Sequence, residues 1–123
     1  MKTIFTYVSL LFISATVTAE ISSTEKSALI KLNKSTNGSQ WIKKWDLKSP
    51  ASTWYGVEIK NDKVVSINLV NNNLAGTLPN ELGDLSSLET LNLFRNDLTG
   101  SLPSSIGKLT KLTSLSIAFN KIS

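Results

Sequence analysis

Along the second half of the chain, apolar and polar side chains recur in a fixed register. The stretch "VVSINLVNNNLAGTLPNELGDLSS" (64–87), shifted by 24 residues, falls on "LETLNLFRNDLTGSLPSSIGKLTK" (88–111) and then on "LTSLSIAFNKIS" (112–123). Val64, Leu88 and Leu112 coincide, as do Ile67, Leu91 and Leu115; Leu69, Leu93 and Ile117; and Leu74, Leu98 and Ile122. Polar and turn residues keep step: Asn72, Asn96 and Asn120 align, and Gly76 with Gly100, Pro79 with Pro103 and Gly83 with Gly107 recur in the two complete copies. Self-similarity at such a period marks a repeat architecture.

Each recurring residue has a physical task. In "LETLNLF" the apolar Leu91 and Leu93 alternate with polar neighbours, which predicts a short strand with one buried face. The asparagine that follows (Asn72, Asn96, Asn120) ends the strand, and its amide can satisfy backbone groups left unpaired in a tight turn, so stacked copies should form a ladder. Gly76 and Gly100 allow unusual backbone angles. Pro79 and Pro103 suit the start of a short helical turn, which Gly83 and Gly107 are expected to close. One repeat is therefore one coil of a solenoid. Residues 88–111 carry seven inward Leu/Ile side chains, worth roughly 10–20 kcal/mol if fully buried. Ordering the backbone costs about 1–2 kcal/mol per residue over the same coil. A lone coil does not fold; neighbours must cover its flat faces.

Upstream, Ser22-x-x-Glu25 reads as a capping box opening a helix on which Ala28, Leu29 and Leu32 share a face, and Asn37-Gly38 ends it. Trp41, Trp45 and Trp54 offer that face a packing partner, while Val57 and Ile59 predict a strand that turns at Asn61-Asp62 into Val64–Leu69. The segment "LNLFRNDLTGSLPSSIGKLTKL" resembles the plant-type leucine-rich repeat, with its L-x-x-L-x-L-x-x-N-x-L-x-G-x-I-P unit; here Leu78 and Leu102 stand where Ile is usual. "ALIKLNKSTNGSQW", Trp45 and "TWYGVEI" resemble that family's N-terminal cap, so the likeness runs from about residue 25 to 123. The resemblance implies an α/β repeat fold: a short solenoid with parallel concave strands, a 3-10 or irregular convex side and an N-terminal helical cap. It also makes the three tryptophans cap core rather than a carbohydrate-stacking platform. The plant-type cap usually holds a cysteine pair; this chain has none, which is closer to the cysteine-free microbial relatives.

The first nineteen residues, "MKTIFTYVSLLFISATVTA", combine Lys2, an apolar run and small residues Val17 and Ala19, the pattern of an export signal. That run is too short and too interrupted by Ser and Thr to span a bilayer. The expected organisation is a signal peptide (1–19), a cap (20–63) and repeats (64–87, 88–111 and a partial 112–123), in a secreted or otherwise extracytoplasmic protein at a cell surface or in a periplasm. With no cysteine, stability must come from packing, and a lipid anchor on a cysteine after the signal is excluded. Residues 20–63 hold 8 basic and 5 acidic side chains. An excess this small, without an arginine cluster, argues against nucleic-acid binding. The sequons at Asn33 and Asn37 are of the kind that Asn/Ser-rich stretches produce by chance.

Catalysis lacks its usual agents. The chain has no His and no Cys, its serines have no evident activating partner, and the Glu81/Asp84 and Glu58/Asp62 pairs belong to turns or strand edges where solvated carboxylates are ordinary. "NKSTNGSQWIKK" echoes a calcium loop, yet Asn33 and Lys44 stand where acids belong. No cofactor or metal is implied.

Binding remains. The outward strand positions should line the concave side: Ser66, Asn68, Val70 and Asn71; Thr90, Asn92, Phe94 and Arg95; Ser114, Ser116, Ala118 and Phe119. Phe94 and Arg95 are the foremost contact candidates, because aromatic and arginine side chains dominate binding hot spots. The expected function is recognition of a protein or peptide partner, without catalysis. The alternatives are a polysaccharide- or ice-binding surface built on the Ser/Thr/Asn columns, or a spacer in a larger repeat protein. The third coil stops one residue short of its expected glycine, so the chain reads as a fragment of a longer array.

Overall fold

The structure, a computed structural model, describes residues 20–123. The expected signal segment 1–19 lies outside the described residues.

Helix α1 spans Ser23–Ser35, and Ser22 Oγ accepts the Glu25 N–H at 3.1 Å. The reciprocal half of a capping box is replaced by a longer-range bond. Glu25 is buried, and its carboxylate accepts the Val64 N–H at 2.8 Å, tying the helix to the start of the first coil. Ala28, Leu29 and Leu32 are fully buried along one face, as the spacing predicts. The helix ends where Thr36 gives both its N–H and its hydroxyl to the Leu32 carbonyl, and Asn37 follows in the left-handed region at φ 64°.

The three tryptophans fill the space beneath. Trp45 and Trp54 stack with ring centroids 4.9 Å apart, and Trp41 meets Trp45 edge-on at 4.9 Å. Each indole N–H finds a backbone carbonyl: Trp41 gives to Thr36 at 3.0 Å, Trp45 to Tyr55 at 2.8 Å and Trp54 to Asp46 at 2.8 Å. These rings are core, and none presents a free face to a sugar.

Strands β1 (Val57–Lys60) and β2 (Lys63–Asn68) form an antiparallel hairpin. Its two central residues, Asn61 and Asp62, have φ 51° and 62°, the left-handed angles a tight two-residue turn needs and that Asn and Asp tolerate. The chain then runs through β3 (Ala75–Gly76), a 3-10 turn at Asn80–Asp84, β4 (Thr90–Asn92), β5 (Asp97–Leu98), a second 3-10 turn at Ser104–Lys108 and β6 (Ser114–Ser116). The main sheet has the order β1-β2-β4-β6, with β2, β4 and β6 parallel; β3 and β5 form a second parallel ladder. This is a short leucine-rich-repeat fold: parallel strands, 3-10 turns and an N-terminal helix.

Between the ladders lies the core. Ile67, Leu69, Leu74, Leu82, Leu85, Leu88, Leu91, Leu93 and Leu98 are fully buried. Leu115, the counterpart of Leu91 in the last strand, is 39% exposed, having a described neighbouring strand on one side only.

The asparagines form their ladder through the backbone. Asn96 Oδ1 accepts the Asn72 and Leu74 N–H groups at 2.9 and 3.0 Å, and its Nδ2 donates to the Leu69 and Leu93 carbonyls at 2.9 and 3.0 Å. Asn120 repeats this one coil on, accepting from Leu98 N and donating to Leu93 and Ile117. Asn72 makes the equivalent reach into the cap, accepting from Lys43 N at 2.7 Å and donating to the Lys43 carbonyl at 3.1 Å. The 41–43 segment therefore stands in the place of a preceding coil.

Gly76 (φ 101°) and Gly100 (φ 76°) take the left-handed angles that their positions demand. Gly83 and Gly107 differ from expectation, because each sits inside a 3-10 turn that Leu85 or Leu109 ends. Gly83 is required by packing: a Cβ there would lie 2.6 Å from the Ser105 Cβ of the next coil.

Candidate functional site

The outward side of the main sheet carries the predicted columns in register. Ser66 pairs with Thr90 and Thr90 with Ser114; Asn68 pairs with Asn92 and Asn92 with Ser116. These two rows are small and polar, on strands held at the usual spacing of about 4.8 Å. Asn68 and Asn92 turn their amide oxygens back to the N–H groups of Val70 and Phe94, at 3.4 and 3.2 Å, so part of their polarity is used locally.

The remaining predicted positions lie beyond the strands, a correction to the sequence reading. β2, β4 and β6 end at Asn68, Asn92 and Ser116, and Val70, Asn71, Phe94, Arg95, Ala118 and Phe119 belong to the turn that follows. Interstrand hydrogen bonding still continues there, from Asn71 N to the Phe94 carbonyl and from Arg95 N to the Ala118 carbonyl, both at 2.9 Å. Asn71, Arg95 and Phe119 each adopt a left-handed backbone, at φ 51°, 60° and 58°. The chain turns so that the next residue, a ladder asparagine, aims inward. Asn accepts this conformation readily, whereas Arg and Phe bear a cost of about 1–2 kcal/mol.

At this row the structure gathers a cluster. Phe94 and Phe119 meet edge to face with centroids 5.2 Å apart. The Arg95 guanidinium carbon lies 5.6 Å from the Phe94 ring centre and 5.4 Å from that of Phe119. Phe119 is 69% exposed and Arg95 is exposed, while Phe94 is half-buried. Cation–ring attraction of this kind contributes about 0.5–1 kcal/mol at an open surface, enough to favour one placement of the guanidinium.

Three neighbours escaped the sequence reading. Ile42 is 65% exposed, Tyr55 is 42% exposed, and Lys43 Nζ lies 5.3 Å from the Tyr55 ring centre. Ile42 donates its N–H to the Asn72 carbonyl at 3.1 Å, which brings the cap alongside the strand-end row. A shallow cleft of about 310 Å3 opens there, lined by Ile42, Asn71, Asn73, Arg95, Asn96 and Asp97. In "WIKKW" the buried Trp41 and Trp45 bracket three exposed residues, so the segment does not alternate, and strict alternation would have turned Lys43 inward with the two indoles.

Other candidate groups are dispersed. Asn33 is buried within α1 and Lys44 is exposed beyond it, so the stretch that echoed a calcium loop is a helix end. No group of three or more His, Cys, Asp or Glu side chains is placed to hold a metal among the described residues. Glu58 faces Lys60 at 3.9 Å, and Glu81 and Asp84 are exposed on a 3-10 turn. No described helix is long and apolar enough to cross a membrane.

Comparison with known proteins places this geometry. The family model "Leucine Rich Repeat" matches residues 63–85 and 87–109. Polygalacturonase inhibitor 2 of Arabidopsis thaliana is 30% identical over 94 residues, which cover 72% of this chain and 28% of the inhibitor. The chain thus spans about a quarter of the length of that curated relative. Among solved structures, the BIR2 ectodomain of Arabidopsis thaliana superposes with a TM-score of 0.71 at 26% identity, covering 85% of this chain and 58% of that one. The Arabidopsis receptor kinase HAESA ectodomain, solved with an IDA peptide hormone ligand, superposes with a TM-score of 0.64 at 26% identity, covering 77% and 16%. With its 24-residue coils, asparagine ladder and helical cap, the chain is a plant-type leucine-rich repeat protein without cysteine, related to polygalacturonase inhibitors and to leucine-rich-repeat receptor ectodomains.

Proposed function

We propose that the chain is an extracytoplasmic recognition module that binds a protein or peptide through the outward face of its sheet and catalyses nothing. The observation that carries this reading is the cluster of exposed Arg95 and Phe119 with half-buried Phe94, set on a hydrogen-bonded strand-end row. Rigid aromatic and guanidinium groups on an ordered backbone give up little freedom on binding, which is what hot-spot residues require. The relatives support the same class: one is named for inhibiting a polygalacturonase, itself a protein, and another was solved holding a peptide hormone. Export through residues 1–19, a cap over 20–63 and repeats over 64–123 belong to the same proposal.

The regular Ser/Thr/Asn columns favour a polysaccharide or ice surface less well, because the row beside them changes from Val70 to Phe94 to Ala118 and is neither flat nor repetitive. The test is capture by the immobilised chain from a secreted-protein fraction, with a polygalacturonase and a random peptide library as defined probes. The wild-type chain should retain a protein or peptide, and Phe94→Ala with Arg95→Ala should lose it while keeping the same circular dichroism spectrum. Equal capture by the double variant would remove this site. Retention of polysaccharide alone would overturn the reading.

A further inference from the structure

The cations of this face differ in their partners. Among the described residues the ion pairs are Lys60 with Glu58, at 3.9 Å, and Lys121 with Asp97, at 3.0 Å. Lys43 and Arg95 make neither. Each is instead laid against aromatic rings, Lys43 on Tyr55 and Arg95 on Phe94 and Phe119. Asp97, the carboxylate that lines the cleft with Arg95, is engaged by Lys121. Arg95 and Phe119 also hold left-handed backbone angles that their side chains disfavour, where the first coil has the tolerant Asn71. Two positive heads are thus held in place, beside the exposed apolar surface of Ile42, Tyr55 and Phe119, with their hydrogen-bonding capacity toward an anion unspent.

We infer that the partner of this face is an extended peptide segment that is both acidic and apolar, with one Asp or Glu carboxylate on the Arg95 guanidinium and a second on Lys43. This rests on the recognition reading above and specifies its ligand chemistry. Arginine suits the first role, because its planar fork meets a carboxylate with two parallel N–H bonds while its face stays on the rings. Lys43 is joined to Asn72, and Asn72 to Asn96, so the two cations rise from positions about two strand spacings, or about 10 Å, apart. An extended chain covers that distance in about three residues, so acidic positions about two to four residues apart reach both cations, with apolar side chains falling on the aromatic surface between.

The experiment uses a random dodecapeptide library displayed on phage and the immobilised full chain, followed by synthetic copies of retained peptides in which Glu or Asp is replaced by Gln or Asn. Retained peptides should be enriched in paired acids flanking an aromatic or aliphatic residue. Neutralising the acid nearest Arg95 should weaken binding about tenfold, and raising salt should narrow that difference. Arg95→Gln should abolish the preference for acid over amide, Arg95→Lys should restore part of it, and Lys43→Gln should reduce the contribution of the second acid only. Retained peptides with no acid enrichment would overturn the inference and leave peptide recognition standing. An acid preference unchanged in Arg95→Gln would overturn the assigned site. Failure of a folded chain to retain any peptide would overturn the inference and leave protein recognition to the polygalacturonase probe, whereas Arg95-dependent binding of soluble polygalacturonate in place of peptide or protein would overturn both.

Discussion

The cap and the coils solve the same burial problem by opposite means. In the coils, one set of contacts is used repeatedly: leucines at fixed positions close the core, and Asn96 and Asn120 each serve the backbone of the coil before them. In the cap every contact is made once. Two indoles stack and the third meets them edge-on, each N–H takes a different carbonyl, and a buried Glu25 crosses to Val64. The two schemes meet at Asn72, whose amide treats Lys43 as if it were the previous coil. A cap therefore need not repeat the sequence of a coil; it must present backbone N–H and C=O groups at coil spacing and cover the leucines beneath.

The difference predicts where damage is greatest. Trp41→Ala, which removes a fully enclosed ring and leaves the Thr36 carbonyl without its indole donor, should cost about 3–5 kcal/mol, read as a fall in the urea midpoint. Asn96→Ala should cost about 2–4 kcal/mol, since it removes the side-chain acceptor of the Asn72 and Leu74 N–H groups and the amide donor to the Leu69 carbonyl, while the Leu93 carbonyl keeps Asn120. If the ladder is a property of the stack, this loss should appear in amide exchange as faster opening on both sides of the coil. Glu25→Ala should cost about 1–3 kcal/mol by orphaning the Val64 N–H, with the exchange increase centred on β2. A change at Glu25 that loosens β6 as much as β2 would show that cap and coils are one cooperative unit. Phe94→Ala with Arg95→Ala should change stability by about 1 kcal/mol or less, since Arg95 is exposed and Phe94 only half-buried, yet it should remove partner binding.

Much of this was legible in the chain. The repeat register gave the inward leucines, one strand per coil and the asparagine ladder, because each physical demand recurs every 24 residues and chance does not imitate it. The cap helix face, the indole core and the Asn61-Asp62 turn were legible too, from spacing and turn chemistry. What could not be read was contact between residues distant in sequence. Glu25 looked like half of a capping box because its local partner Ser22 is visible and its actual one, Val64, is 39 residues away. Gly83 looked like a conformational glycine because the side chain that excludes a Cβ, Ser105, lies in the next coil. At the candidate site, the strand reading ran three residues too far, to Asn71, Arg95 and Phe119, since nothing in "LFRN" announces that Arg95 turns left-handed. Ile42, Lys43 and Tyr55 were missed for a related reason: they join the face only once the cap has docked in the place of a coil.

The most direct test of the recognition site is a two-dimensional amide NMR titration of the isotope-labelled chain with a retained acidic peptide. The account predicts shifts concentrated at 42–43, 55, 70–71, 94–95 and 118–119, with the 3-10 turns at 80–84 and 104–108 unmoved. Shifts centred on those turns, with the Arg95 and Phe119 amides unchanged, would contradict it.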